Sequence, residues 1–293
     1  MKKDIISQFK IYLTDEKKVS PSSADSYCRD VKSFVQYLDN TASGLSRAGK
    51  TDVLSFIVDM QKEGKADASI SRAVSSLRTF FGYLLQHSLI KSDPTFGIKL
   101  PRSEKKATDI LSTDEIDTLL DIKDEMSPLA IRDKAMFEIM YATGIGVTEL
   151  VSLKLSDVDT DLGYIRCCRT KNIRIVPLGK PSVKALEKYL TLSRPVLLQS
   201  ETDALFVNYL GVPISRQGFW KILKEYAKKA GIKKDITPRT LRASFALHLI
   251  ENGADLKAVQ EMMGHKDIAS TMSYARLSGS GIREIYNKTH PRS

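Results

Sequence analysis

The sequence predicts a mainly helical protein of two domains with one small antiparallel sheet. Three observations carry this. Apolar residues recur at the 3.6-residue period of a helix with one buried face, as in Tyr27, Val31, Phe34, Val35 and Leu38. Only two runs, 164–168 and 173–178, read as strands, and the residues between them, Arg169, Thr170, Lys171 and Asn172, make a hairpin turn with a basic tip. Between residues 91 and 110 (KSDPTFGIKLPRSEKKATDI) the composition changes: Pro94, Gly97 and Pro101 break helices, and Arg102, Lys105 and Lys106 add charge. That is the character of an interdomain linker. The expected division is a helical domain over 1–96, a linker over 97–110 and a second domain over 111–293.

The first domain reads as four or five helices. Residues 4–13 have apolar side chains at helical spacing. Ser20 followed by Pro21 is a helix start, a capping hydroxyl and then a residue whose fixed φ suits the first turn. Thr51 can cap a third helix with Val53, Leu54, Ile57 and Met60 on one side. A fourth, over 68–87, turns Ile70, Ala73, Val74, Leu77, Phe81 and Leu84 inwards and leaves Arg72 and Arg78 off the stripe.

In the second domain, Ser112 or Thr113 caps a helix with Glu115 near its start. A helix over 128–143 stops at Gly144, and a short one over 147–153 follows. After the hairpin, helices are expected over 182–192, 216–230, 239–252, 256–263 and 269–274. Thr237 and Pro238 form another capped start, and Gly253 and Gly264 stand where helices stop.

The 293 residues carry a net charge of +10, which points to a polyanionic partner. The excess is not a tail. Residues 1–103 hold 16 Lys and Arg against 11 Asp and Glu, and residues 104–293 hold 29 against 24, so each part is +5. An even excess over two domains suits a clamp on DNA. The three cysteines, Cys28, Cys167 and Cys168, are too few for a disulfide scaffold and lack zinc spacing. A reducing cytoplasm is the expected compartment, and no run of about 18 apolar residues marks a membrane span.

Residues 236–274 concentrate the chemistry. Arg239 and Arg242 lie three apart at the start of a helix, His265 follows a glycine, and Tyr274 closes the stretch. Guanidinium groups bind phosphate oxygens in pairs, and a helix N-terminus is itself an anion site. An imidazole can donate to a phosphate oxygen, and a phenol can attack phosphorus to leave a covalent phosphotyrosine. The sequence has no compact acidic cluster to hold magnesium or manganese, so neither metal nor cofactor is expected and a metal-dependent nuclease is disfavoured. Each residue alone has a plainer reading. One of 11 tyrosines is ordinarily a packing residue, His265 can cap the preceding helix, and Arg242 can pair with an acid such as Glu251. Only the ordered set is specific.

That ordered set resembles a tyrosine recombinase of the Xer type, part of the phage integrase family, over almost the whole length. The stretches that carry the likeness are ATGIGVTELVSLKLSDVD (142–159), RTKNIRIVPLG (169–179), TPRTLRASFALHLIENGADLKAVQEMMGH (237–265), STMSYARL (270–277) and THPR (289–292). The resemblance implies a SAM-like, all-helical core-binding domain and a mixed α/β catalytic domain that close on double-stranded DNA at an inverted-repeat core site. It implies a homo- or hetero-tetramer on two duplexes, with residues 280–288 docking onto a neighbour. Cleavage would proceed through a 3′-phosphotyrosine link without metal.

Carried over residue by residue, Arg242 matches the second family arginine, His265 the second histidine position and Tyr274 the nucleophile. Three positions depart. Gly146 stands where the family has its first arginine, Arg239 where it has its first histidine, and Arg169 at the hairpin lysine, with Lys171 two residues on. Arginine hardly releases a proton near neutral pH, so Lys171 is the better acid of the two. The expected function is site-specific DNA breakage and rejoining. The alternative is a catalytically weakened recombinase homologue that binds DNA as a regulator or accessory protein.

Overall fold

The computed structural model describes residues 2–41, 44–99, 109–122, 126–169, 172–265 and 267–275. The chain divides into two compact units, Met1–Lys106 and Ala107–Ser293.

The first unit is built from α1 (Lys2–Ile11), continued by a wider π turn over Tyr12–Glu16, then α2 (Pro21–Asn40), α3 (Lys50–Lys62) and α4 (Asp67–Gln86). The Ser20 side chain accepts from the Ser23 N–H and Pro21 sits in the first turn, as expected. Phe9, Phe34, Leu38, Leu77, Phe80 and Phe81 form the centre of its core. Two expectations for α3 are corrected. The cap lies two residues earlier, at Gly49, and the helix runs from Lys50, because the Asp52 carboxylate reaches back to the Gly49 N–H, so Thr51 is not its cap. Its buried residues are Val53, Phe56 and Ile57, whereas Leu54 lies on the exposed side.

Arg72, off the apolar stripe of α4, serves the core. It and Ser76 donate to the buried Asp30 carboxylate at 3.0 and 2.8 Å. A buried carboxylate is costly unless paired and hydrogen-bonded, and both conditions are met here. Arg78 donates to the Ile98 carbonyl, and Ile98 is buried in the same core. Residues 97–98, read as the start of a linker, therefore pack on the helical unit. Residues 100–108 of that linker lie outside the described residues.

The second unit begins with α5 (Thr113–Leu120), where Ser112 and Glu115 form a reciprocal cap. Next come α6 (Pro128–Thr143), α7 (Val147–Ser152), β1 (Val158–Asp159), β2 (Tyr164–Arg169) and β3 (Asn172–Pro177). The sheet is antiparallel in the order β1-β2-β3, so a short third strand joins the expected hairpin. Then follow α8 (Lys180–Lys188), a π turn over Tyr189–Ser193, α9 (Arg194–Leu197), α10 (Arg216–Lys229), α11 (Pro238–Glu251), α12 (Leu256–Met263) and α13 (Ile268–Ala275). α6 lies in the middle of the core, with Met136, Phe137, Ile139 and Met140 all buried.

The direction of β3 side chains departs from a simple reading. Ile173 and Ile175 are 67% and 66% exposed, while Arg174 and Val176 face inwards opposite Cys167 and Ile165. A charged side chain thus takes a place on the buried face of the sheet. Among the described residues, no helix is long and apolar enough to cross a membrane.

Candidate functional site

The site is assembled where α6, α7, α11, α12 and β3 meet. Thr237 caps α11 through the Thr240 N–H, and Pro238 fills its first turn, which fixes where Arg242 leaves the helix. The Arg242 side chain is 14% exposed. Its Nη1 donates to the Gly144 carbonyl at 2.7 Å and its Nη2 to the Met263 carbonyl at 2.6 Å. The ends of α6 and α12 offer carbonyls there because a helix leaves its last acceptors unused. Both helices close on a left-handed glycine, Gly144 at φ 60° and Gly264 at φ 65°. The Glu149 carboxylate lies 3.9 Å from Arg242.

Glu149 is the centre of the local charge. One oxygen, Oε2, accepts from the Gly146 N–H at 2.9 Å and caps α7. Arg174, from β3, meets the carboxylate with both terminal nitrogens, Nη1 to Oε1 at 2.6 Å and Nη2 to Oε2 at 3.1 Å. The Arg174 Nε donates to the Met262 carbonyl at 2.8 Å. Burial pushes the Glu149 carboxyl up, but Arg174, the Gly146 N–H and the Arg242 charge outweigh it and hold the group below its ordinary range. Burial likewise pushes Arg174 down, and Glu149 more than restores it.

His265 follows directly. Its N–H donates to the Gln260 carbonyl and closes the end of α12, so helix capping falls to the backbone and not to the imidazole. The ring turns towards α13, with Nδ1 2.9 Å from the Thr271 hydroxyl. The other face of the arrangement is Tyr274. Its ring stacks on His265 with centroids 6.1 Å apart and an interplanar angle of 23°. Tyr274 is 9% exposed and packs with Ala243, Phe245, Val259 and Met263.

The sequence-predicted residues are therefore placed as follows. Arg242, His265 and Tyr274 come together around the α12–α13 corner, Arg242 through Met263 and Tyr274 through the His265 ring. Arg239 is exposed in the first turn of α11, and among the described residues no hydrogen bond or ion pair engages it. Gly146 is the N-cap of α7 in ordinary extended backbone, φ −74° and ψ 149°. A Cβ there would lie 3.4 Å from Glu149 Oε2 and 3.7 Å from Arg242 Nη1, so a side chain fits and would set out towards Arg242. Arg169 ends β2, its side chain outside the described atoms, and Lys171 lies outside the described residues, as do residues 280–288. Arg242 does meet an acid, as its plainer reading expects, and that acid is Glu149 in place of Glu251.

Sequence reasoning missed Glu149 and Arg174. Alternation along β3 gives no signal for Arg174, because it would put Ile173 and Ile175 on the buried face. Chemically, the corner offers guanidinium groups and an imidazole beside a phenol, a set suited to holding an anionic tetrahedral group and attacking it. Among the described residues, no group of three or more His, Cys, Asp and Glu is placed to hold a metal ion.

Comparison with known proteins agrees in extent with this arrangement. The Phage integrase family matches residues 109–280, and the phage integrase N-terminal SAM-like domain matches residues 6–88. A Tyrosine recombinase XerD of Listeria monocytogenes serotype 4b (strain F2365) is 42% identical over 296 residues, covering 99% of both chains. A Tyrosine recombinase XerD of Oceanobacillus iheyensis is 43% identical over 294 residues, covering 98% of both. Among solved structures, a XerH site-specific recombinase bound to palindromic difH substrate in a post-cleavage complex has a TM-score of 0.72 at 19% identity, over 98% of this chain and 85% of that one. The Tn1549 transposon integrase in complex with transposon right end DNA has a TM-score of 0.76 at 17% identity, over 97% of this chain and 99% of that one. At such identities these two structures speak for the fold.

Proposed function

This chain belongs to the phage integrase family of tyrosine recombinases, and from that premise we propose that it carries out site-specific DNA recombination, with Tyr274 as nucleophile. The observation that carries the proposal is the Arg242–Met263–His265–Tyr274 corner, which brings the second family arginine, the second histidine position and the tyrosine together. The relatives, named as recombinases over nearly their full length, favour this reading over that of an accessory protein.

In the proposed reaction the Tyr274 phenol gives up its proton to solvent as its oxygen bonds to a backbone phosphorus and the bond to the 5′-oxygen breaks, leaving a 3′-phosphotyrosyl link and a 5′-hydroxyl. Arg242 and His265 hydrogen-bond the non-bridging oxygens, whose charge grows as the fifth bond forms. Lys171 or Arg169 protonates the leaving oxygen. Attack by the freed 5′-hydroxyl on a second phosphotyrosine forms the new phosphodiester and breaks the bond between phosphorus and the tyrosine oxygen, which leaves as the phenol. Arg239 adds charge at the α11 N-terminus. In this scheme residues 1–96 are the core-binding domain, 97–110 the linker and 111–293 the catalytic domain. The duplex carries an inverted-repeat core site, four protomers act together, and the work is done in the cytoplasm.

The test is a covalent adduct. Nicked duplexes that trap the cleaved state are offered to the full chain, and protein bound to DNA is resolved under denaturing conditions. An adduct with wild type and none with Tyr274→Phe is expected. Tight duplex binding without any adduct would leave only the accessory reading.

A further inference from the structure

We propose that Thr271 is a positioning residue for His265: its hydroxyl donates to Nδ1 of the ring and so keeps the imidazole proton on Nε2, the nitrogen that donates to a phosphate oxygen. This rests on the reading of His265 and Tyr274 above. Thr271 is fully buried, and its hydroxyl lies 2.9 Å from His265 Nδ1. Among the described residues no other hydrogen bond engages that hydroxyl. A hydroxyl has one proton to give and lone pairs to spare. If it accepted from an Nδ1–H, its own proton would be buried with no acceptor among the described residues, and an unmade buried donor is the costlier arrangement. Donating to Nδ1 leaves no proton unmatched. A neutral imidazole whose Nδ1 accepts carries its hydrogen on Nε2.

The surroundings fix the same ring. Gln260 clasps the His265 backbone from both sides, its carbonyl accepting from the His265 N–H and its side-chain amide donating to the His265 carbonyl, each at 3.1 Å. With the backbone held, the ring can turn only about its side-chain bonds. The Thr271 hydroxyl stops it at one edge and the Tyr274 ring covers one face. Thr271 and Tyr274 lie three apart on α13 and share a face of that helix. Among the described residues of α13 they are the two that are buried. One helix face thus carries both the nucleophile and the group that aims its neighbouring donor. A neutral ring with its proton on Nε2 can hydrogen-bond the growing phosphorane charge without first taking up a proton.

A purely structural role, in which Thr271 only packs α13 against its neighbours, makes a different forecast. The full chain, with nitrogen-15 in its four histidines, is observed by NMR at about pH 8, where an ordinary imidazole is neutral. The His265 signals are those that His265→Gln lacks, and the two ring nitrogens report separately which of them holds the proton. Adduct rate and thermal midpoint are read for wild type, Thr271→Val, Thr271→Ser, His265→Gln and the double variant Thr271→Val with His265→Gln. The DNA is a duplex recovered from a random-sequence pool by binding to wild type, then nicked so that cleavage traps the adduct. Wild type and Thr271→Ser should hold the proton on Nε2. Thr271→Val, close in shape but without the hydroxyl, should slow adduct formation by about 10- to 100-fold, the scale on which the hydrogen-bonded partner of a working histidine acts. Thr271→Ser should recover most of that rate. With His265→Gln already present, Thr271→Val should cost little more, because the group it acts through is gone.

If Thr271→Val lowers the thermal midpoint, the wild-type spectrum and Thr271→Ser carry the test. A proton on Nδ1 in wild type overturns the proposal. So does an unchanged rate in Thr271→Val, and so do costs that simply add in the double variant, the mark of packing alone. Any of these three results beside a normal wild-type adduct removes this proposal and leaves the reading of Tyr274 standing. No adduct from wild type removes that reading and the positioning role with it, whatever the spectrum shows.

Discussion

Two glycines of the site look alike in the sequence and differ in what holds them there. Gly264 answers to two demands at once, a left-handed φ of 65° and the Arg174 guanidinium against its α-carbon. Gly146 answers to neither, since its backbone is ordinary and a Cβ would meet nothing closer than 3.4 Å. Gly264→Ala should therefore lose about 1–2 kcal/mol from the left-handed strain alone, and more if Arg174 is displaced. Gly146→Ala should stay within about 0.5 kcal/mol of wild type. Denaturant titration of the two variants side by side checks the pair. Equal losses would show that the space drawn around one of them is wrong. The same contrast explains what was legible. Arg242, His265 and Tyr274 could be found because their order along the chain is itself the signal. Arg174 could not, because β3 puts Ile173 and Ile175 outside and the cation inside. A period-2 reading assigns the opposite faces, and only the carboxylate from α7 and the carbonyl from α12 reverse the preference.

At the scale of elements, caps were the most readable features, because each is decided within a few residues. Ser20 with Pro21, Ser112 with Glu115, Thr237 with Pro238, and the closing glycines 144 and 264 all act where expected. Thr51 failed because Asp52 competes for the same helix start and its longer reach wins. What no local pattern contains is the joint between elements, and Glu149 is that joint: it caps α7 and anchors β3 through Arg174. Its carboxyl is held below the ordinary value of 4.5. The pairing therefore contributes fully at pH values above about 4.5, and the contribution is lost as pH falls through the lower folded-state value. Glu149→Gln leaves Arg174 buried beside a neutral amide, a loss on the order of 3 kcal/mol at neutral pH. The gap in thermal midpoint between wild type and Glu149→Gln should accordingly be wide at pH 7 and narrow once the solution is well below pH 4.5. A gap that widens on acidification would mean that the carboxyl is raised by burial and not lowered by its partners.

The molecule as a whole is two cores, each closed on its own residues. Every member of the N-terminal core lies within Met1–Lys106, and every member of the two clusters that fill the other unit lies within Ala107–Ser293. A piece carrying residues 107–293 should therefore fold without the rest, with a cooperative thermal transition of its own. Charge then sets how the two parts share a duplex. The net excess is +5 in residues 1–103 and +5 in residues 104–293, so neither part alone holds the basic surface. Each phosphate neutralised releases counterions and adds about 0.9 to the slope of log affinity against log salt. If both units contact the backbone, the full chain should show a clearly steeper slope than the 107–293 piece, and the two should converge in affinity as salt rises and those contacts weaken. Titrations of one duplex at several salt concentrations measure both slopes. Parallel lines would place every phosphate contact in the C-terminal unit and leave the N-terminal charge as surface solvation.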